Sequence, residues 1–293
     1  MPRVALVTAT GARTFDDDLP LLAAALEELG AAVTTPVWDD PAVDWAATDL
    51  AVVRSTWDYT TRRSQFVAWA ERVSEMTELR NPAAVLRWNT DKRYLAELGA
   101  AGVPVVPTTF ATTAEEVVLP EALEVVVKPS VSAGSRDTAR YRTDRPERRA
   151  QATAHAMQII GSGRTAMIQP YLARIDAVGE TALAVVGGAV SHTLVKRPLL
   201  RPGAAPRTEP FAPEELEARS PTEAELTAAD AALGACRDLL DGAPLLYARV
   251  DLIPGPDGTP RLLELELTEP SLFHAHVPGS AARFAQAILD VLD

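Results

Sequence analysis

Short apolar runs at residues 4–8, 32–37 and 50–53 read as buried strands, and between them the apolar positions switch to helical spacing. Asp18 to Pro20 carry helix-start chemistry, Leu22, Ala25, Leu26 and Leu29 form one stripe, and Gly30 ends it. A second stripe, Phe66, Trp69 and Val73, follows the third run. This alternation predicts a parallel sheet flanked by helices over residues 1–85. Ligands of such sheets gather beyond the carboxyl ends of the strands. That rule singles out the loops 10–18 and 54–59, although the aromatic residues of the second equally suit a cap on the core.

From residue 89 the pattern changes. The spacing predicts a helix over 91–98, a small strand over 103–109, a short helix over 114–118, and a strand over 123–128 that runs into the small-residue loop 130–135. A strand over 138–142, a helix over 146–160 and a strand over 166–169 follow. The last third reads as two strands around Gly187-Gly188, a Pro-rich stretch over 198–213, and a long helix opened by a capping box of Ser220 and Glu223. A hairpin over 245–253 and 261–267 and a closing helix over 281–292 complete an α/β chain. It divides at 1–85, 86–170 and 171–293.

Composition narrows the class. At 293 residues and 47% hydrophobic content the chain has ample core. A net charge of −12 with no basic stripe argues against nucleic acid. No apolar run approaches the ~18–20 residues of a membrane span. The N-terminus reads as a strand and a polar loop, not a signal peptide, so a cytoplasmic protein is expected. Cys236 is the one cysteine; it excludes an internal disulfide and suits packing.

The basic residues are 25 Arg and only three Lys. Lys92 stands at a helix start (NTDK), Lys128 ends an apolar strand (VVVKPS), and Lys196 ends another (LVKRP). An ammonium is a compact point charge suited to phosphate oxygens. Each lysine alone is equally a solvated surface charge, but together they point to a nucleotide polyphosphate. The hairpin carries the strongest chemistry. Alternation places Arg249 and Asp251 on one face of the first strand and Glu264 and Glu266 on one face of the second. Pairing symmetric about Asp257-Gly258 sets Asp251 opposite Glu264 and Arg249 opposite Glu266. Three crowded carboxylates repel unless a cation intervenes, and oxygen-only ligation favours Mg²⁺ or Mn²⁺. The plain alternative is a solvated acidic hairpin. His274 and His276 lie close by, but their spacing is poor evidence for zinc.

Taken together, these segments resemble the ATP-grasp superfamily, in particular its glutathione synthetase-like and D-alanine–D-alanine ligase-like branches. The resemblance covers the whole chain and implies an N-terminal substrate domain followed by two α/β subdomains that clasp ATP. Glu264-Leu-Glu266-Leu-Thr-Glu-Pro270 has the layout of that family's last metal strand, with Glu266 in place of the usual Asn. By that match Asp251 and Glu264 flank two Mg²⁺ ions, Glu266 ligates the second, and Arg249 faces the transferring phosphoryl group. Lys92 and Lys128 match the two nucleotide lysines, and Lys196 a basic residue near the γ-phosphate. The loop with Ser130, Ser132, Ala133, Gly134 and Ser135 matches the phosphate lid. Gln169, Tyr171 and Leu172 match the linker that reads adenine, and Glu180 is assigned to the ribose hydroxyls.

The motifs VRSTWDY and WNTDK further resemble a small stand-alone ligase group that includes O-ureido-D-serine cyclo-ligase. This implies phosphoryl transfer to a small amino-acid-type carboxylate, then attack of nitrogen on the acyl phosphate. Such an enzyme needs no nucleophile of its own, in line with the lack of a convincing Ser/His or Cys/His pair. Arg54, Ser55, Thr56, Trp57 and Asp58 are the expected substrate residues. An ordinary ion pair of Arg54 with Asp58 or Asp16 is the alternative. Three functional readings stay open: intramolecular cyclisation, joining of two separate amino acids, and nucleotide binding without catalysis. Neither nucleic acid nor membrane is expected as a partner, and a homodimer is compatible with the chain.

Overall fold

The computed structural model describes residues 1–206 and 215–292. Part of the Pro-rich stretch expected over 198–213 lies outside them. The N-terminal unit is built from β1 (Arg3–Thr8), α1 (Asp18–Glu28), β2 (Ala32–Thr34), β3 (Leu50–Ser55), α2 (Arg63–Ser74) and β4 (Glu78–Arg80). Its four strands are parallel, in the order β2-β1-β3-β4. The fourth strand is an addition to the sequence reading, since three residues bounded by polar positions leave no periodic signal.

Two helices, α3 (Ala83–Asn89) and α4 (Tyr94–Ala100), lead to a second sheet of β5 (Thr109–Ala111), β6 (Glu124–Pro129), β7 (Ala139–Arg142) and β8 (Ala166–Pro170), covered by α5 (Pro146–Gly161). It is antiparallel, ordered β5-β8-β6-β7. No helix forms over 114–118. The Glu116 carboxylate instead turns back to accept the Thr112 amide (2.7 Å) and hydroxyl (2.8 Å), closing a turn ahead of Pro120.

After α6 (Ile175–Val178) comes a five-stranded antiparallel sheet of β9 (Glu180–Val186), β10 (Ala189–Lys196), β11 (Leu216–Ala218), β12 (Tyr247–Pro254) and β13 (Pro260–Glu266). Its order is β11-β10-β9-β12-β13. The long helix α7 (Glu223–Leu239) starts two residues later than its sequence signal. Thr222 and Glu225, not Ser220 and Glu223, form the capping box. The last helix is α8 (Ser280–Leu289).

Packing explains how these parts are held. One face of the N-terminal sheet (Val4, Leu6) and the α1 stripe (Leu22, Leu26) share a core with Val186, Tyr247, and Phe284 and Ile288 of α8. The other face (Ala5, Val7, Ala51, Val53) meets Phe66, Trp69 and Val73 of α2. Helix α4, grouped by the sequence reading with the middle segment, packs against the five-stranded sheet beside α7, through Tyr94, Leu95 and Leu98.

Buried polar groups stitch the N-terminal unit to the five-stranded sheet. Asn81 Nδ2 donates to the carbonyls of Tyr247 (2.9 Å) and Leu267 (2.8 Å), while its Oδ1 accepts the Leu246 amide (2.8 Å). The Tyr247 hydroxyl lies 2.9 Å from the carbonyl of Val53 and 2.8 Å from that of Thr268. Each bond satisfies a strand-end backbone group that burial would otherwise leave unpaired.

Candidate active site

The three units surround a cavity of about 690 Å³. Its floor is the β12–β13 hairpin, and the predicted register is found: Arg249 pairs with Glu266 and Asp251 with Glu264. The route to it differs from the symmetric one. Next to the turn Leu252 pairs with Leu262 and Ile253 with Arg261, and the register then shifts at Leu263. Without that one-residue bulge Asp251 would oppose Leu263, and Glu264 would oppose the core residue Val250. A slip of one residue moves side chains to the other face of a sheet, so the bulge is what brings the acids of both strands together.

Three bare carboxylates do not converge there. Among the described residues no three His, Cys, Asp or Glu side chains are gathered closely enough to hold a metal ion. Each acid is turned to a base instead. Asp251 accepts from Arg249 Nη2 (2.8 Å) and Lys196 Nζ (3.2 Å), Glu264 from Lys92 Nζ (3.0 Å), and Glu266 from Arg249 Nη2 (2.5 Å). Glu180 also pairs with Lys196. Mutual repulsion and the nearby bases decide where the carboxylates point.

The electrostatics record a surplus of negative charge. Burial opposes ionisation of Asp251, but Arg249 and then Lys196 outweigh it and hold its pKa at about 2. Burial likewise opposes Glu264, which Lys92 and Lys128 draw below the ordinary range. Glu266 goes the other way: burial, aided by Glu264, Asp251 and Glu269 and opposed by Arg249, pushes it up to about 8. Burial and Glu264 likewise lift Glu269 to about 7, against Lys92, Tyr59 and Arg249. A carboxyl that resists ionisation, Glu266, beside the ionised Asp251 and Glu264 in an all-oxygen set suits a hard divalent cation. The residues present therefore fit Mg²⁺.

The lysines line the same cavity. Lys92 Nζ also donates to the Ser132 carbonyl at 2.6 Å, which ties the helix start to the small-residue loop. Lys128 is buried, and burial lowers its pKa. Ser132, Ala133, Gly134 and Ser135 face the cavity, and Gly134 and Ser135 both take left-handed backbone conformations (φ 61° and 60°). Ser130 does not line it; its amide and carbonyl are engaged with Thr165 and Lys92. Gln169, Tyr171, Leu172 and Glu180 do line it, beside an apolar group of Val106, Ile175, Ile253 and Leu263. The Arg140 guanidinium lies 3.4 Å from the centre of the Tyr171 ring, holding that ring as one wall.

The expected substrate loop is mostly turned away. Of its five residues only Trp57 lines the cavity. Arg54 is 1% exposed, donates to the Pro270 carbonyl at 2.8 Å, and sits over the rings of Tyr247 and Phe284. Arg54 makes no direct ion pair with Asp58 or Asp16, although its charge favours the ionised form of Asp16. Ser55 shares a hydrogen bond with Thr8 (2.7 Å), Thr56 is buried, and Asp58 accepts from Trp38 Nε1 (2.9 Å) and pairs with Arg62. A strand end that is also a seam between units has its polar groups consumed by the seam. Sequence reasoning missed Glu269 in the cavity wall, for which the acid spacing of Glu264, Glu266 and Glu269 was the available signal; Tyr59, in the loop 54–59 that the strand-end rule singled out, lines it too.

Comparison with known proteins follows this geometry. Residues 4–81 match the family model for the N-terminal domain of D-cycloserine synthetase DcsG. The chain is 37% identical to the cycloserine biosynthesis protein DcsG of Streptomyces lavendulae, over 99% of this chain and 98% of that one. A crystal structure of D-cycloserine synthetase DcsG superposes with a TM-score of 0.90 at 36% identity, covering 99% of this chain and 100% of that one. The fold extends to D-alanine–D-alanine ligase from Bacillus anthracis, solved with ATP, at TM-score 0.68 and 14% identity, covering 99% and 97% of the two chains. Shared architecture at that distance speaks for the fold, whereas identity above a third along the full length speaks for kinship: the chain belongs to the D-cycloserine synthetase DcsG family.

Proposed function

We propose that this protein uses Mg²⁺ and ATP to activate the carboxylate of a small amino acid and closes it onto a nitrogen of the same molecule, converting O-ureido-D-serine to D-cycloserine. The observation that carries the reading is the single cavity in which three lysines, Arg249 and the acidic hairpin face one another beside an apolar slot.

The slot between Tyr171, Leu172, Val106 and Ile253 suits a planar purine, with the backbone after β8 at its edge. Lys92 and Lys128 would bind the phosphates, and Arg249 would stabilise charge on the phosphoryl group as it transfers. Mg²⁺, held by Asp251, Glu264 and Glu266, would neutralise the triphosphate. Binding would exchange partners: phosphate oxygens replace carboxylates on the lysines, and the released carboxylates become free to ligate. A carboxylate oxygen of the substrate takes the γ-phosphoryl group and ADP leaves. The ureido nitrogen next to oxygen then attacks the carbonyl carbon, phosphate departs and a proton is lost. The five-membered ring so formed carries a carbamoyl group on its nitrogen; water cleaves that group off as carbamate, which breaks down to carbon dioxide and ammonia, and leaves cycloserine.

The domain roles follow the same reading: residues 1–85 shape the substrate side, 86–170 the lid and 171–293 the metal side. The test is product analysis. O-Ureido-D-serine with ATP and Mg²⁺, and no added amine, should yield ADP, phosphate and cycloserine by mass spectrometry. Failure with either hand of the substrate, alongside amide formation from two amino acids, would replace cyclisation with the intermolecular reaction.

A further inference from the structure

Among the described residues, one buried acid of the cavity is held neither by a lysine or arginine nor by a backbone amide. Glu180, Asp251, Glu264 and Glu266 are each ion-paired to a lysine or Arg249, and Asp16 and Asp18 accept backbone amides at the start of α1 or in the loop after Pro270. Glu269 is buried and lines the cavity, yet among the described residues no Lys or Arg stands within ion-pair distance of it. The Tyr59 hydroxyl, a neutral group on the N-terminal unit that lines the same cavity, favours the ionised form of Glu269.

Its backbone is fixed with unusual care. Trp57 Nε1 donates to the Glu269 carbonyl at 3.1 Å. On either side, the Thr268 carbonyl meets the Tyr247 hydroxyl at 2.8 Å and the Pro270 carbonyl accepts from Arg54 at 2.8 Å. Three consecutive carbonyls thus engage side chains, two of them from the N-terminal unit. The carboxylate is held between the hairpin, where the acyl phosphate would form, and the wall of Trp57 and Tyr59, where the rest of the substrate must lie. A buried carboxylate with no direct ion pair, on a backbone fixed at three successive carbonyls, is the arrangement a proton acceptor requires.

Resting on the proposed cyclisation, we infer that Glu269 is the general base of the ring-closing step. As the ureido nitrogen forms its bond to the acyl carbon and the bond from that carbon to the phosphate oxygen breaks, the N–H proton passes to a Glu269 carboxylate oxygen. Phosphate leaves with the electron pair of the broken bond. Tyr59 fixes the orientation of the carboxylate and is a positioning residue.

The two half-reactions can be read separately, because hydroxylamine intercepts an acyl phosphate as a hydroxamate without needing a base from the enzyme. Glu269→Gln should form the hydroxamate from O-ureidoserine and ATP within about threefold of wild type while losing ~10²-fold or more in ring formation, the scale of a removed general base. Tyr59→Phe should show the same split at smaller amplitude. Loss of hydroxamate together with ring would make Glu269 part of the metal or nucleotide site and overturn the assignment, as would unimpaired ring formation. Should Glu269→Gln not fold, Glu269→Asp serves: its shortened carboxylate should slow ring closure at least ~10-fold with trapping intact, and equal loss of both would overturn the role. Wild-type protein that gives no hydroxamate would bring down the ligase reading and this one with it. Normal trapping with an unaffected variant would remove Glu269 alone.

Discussion

Replacing Glu266 by Gln should make the protein more stable, and increasingly so as pH rises. Its carboxyl has a pKa of about 8 in the fold against an ordinary 4.5. The folded state therefore binds this proton more tightly than the unfolded chain does. Below pH ~4.5 both states are protonated and there is no penalty; above pH ~8 both are ionised and the fold bears all of it. At ~1.36 kcal/mol per unit the full shift corresponds to about 4–5 kcal/mol. With 26% of the side chain exposed, screening by solvent reduces this to roughly 1–2 kcal/mol. The amide keeps an oxygen for Arg249 Nη2, so the hydrogen bond survives while the crowded charge does not. Glu269 titrates in the same window but is common to both proteins. Urea denaturation without nucleotide or metal, followed by tryptophan fluorescence, should show near-equal stability at pH 5 and a gain of roughly 1–2 kcal/mol for the variant at pH 8.5. A variant no more stable than wild type at pH 8.5, or a gain that does not change with pH, refutes the reasoning.

Lys128→Met should weaken ATP binding by at least ~1.5–3 kcal/mol, the value of a charge-assisted contact, with an unchanged fold; equal affinity by calorimetry would remove Lys128 from the phosphate site. Glu264→Gln should retain ATP binding and lose ~10²-fold or more in ADP release at saturating Mg²⁺, so near-normal turnover would contradict the hairpin assignment. Asn81→Ala deletes three buried hydrogen bonds across the seam, and about 3–5 kcal/mol of stability should go with them by urea titration; a loss under ~1 kcal/mol would mean those backbone groups find other partners. Gly179→Ala meets a left-handed φ of 87° and places Cβ 2.9 Å from the Lys196 carbonyl, so it should lower stability by more than ~1 kcal/mol and weaken ATP binding; wild-type behaviour in both assays would show that Lys196 tolerates displacement.

Much of this was legible in the chain because strand alternation and chemistry coincided. Arg249, Asp251, Glu264 and Glu266 could be put on one face from spacing, and three lysines at element ends stood out in an arginine-rich chain. The bulge at Leu263 was not legible: leucine there only repeats Leu262, and an extra residue leaves no compositional mark. Arg54 was placed correctly at a strand end, yet its partner is a carbonyl 216 residues away. Local sequence carries no record of which chain segment will cover a strand end. The same limit hid Asn81, whose three partners lie in β12 and the residues just before β12 and just after β13.

The seam that joins the N-terminal unit to the five-stranded sheet bears on how such a protein can be diversified. Asn81, Arg54, Trp57 and Tyr247 bond across it almost entirely through main-chain carbonyls, which every sequence possesses. The acceptors are thus generic while the donors are specific side chains, three of the four carried by the N-terminal unit. A related N-terminal unit that carries the counterparts of Arg54, Trp57 and Asn81 would bring most of its own fasteners and find the acceptors waiting. Residues 1–85 should therefore be exchangeable as a cassette among relatives that retain Tyr247, and the natural ground for chimeras is the stretch just beyond Asn81, where the last fastener has been delivered.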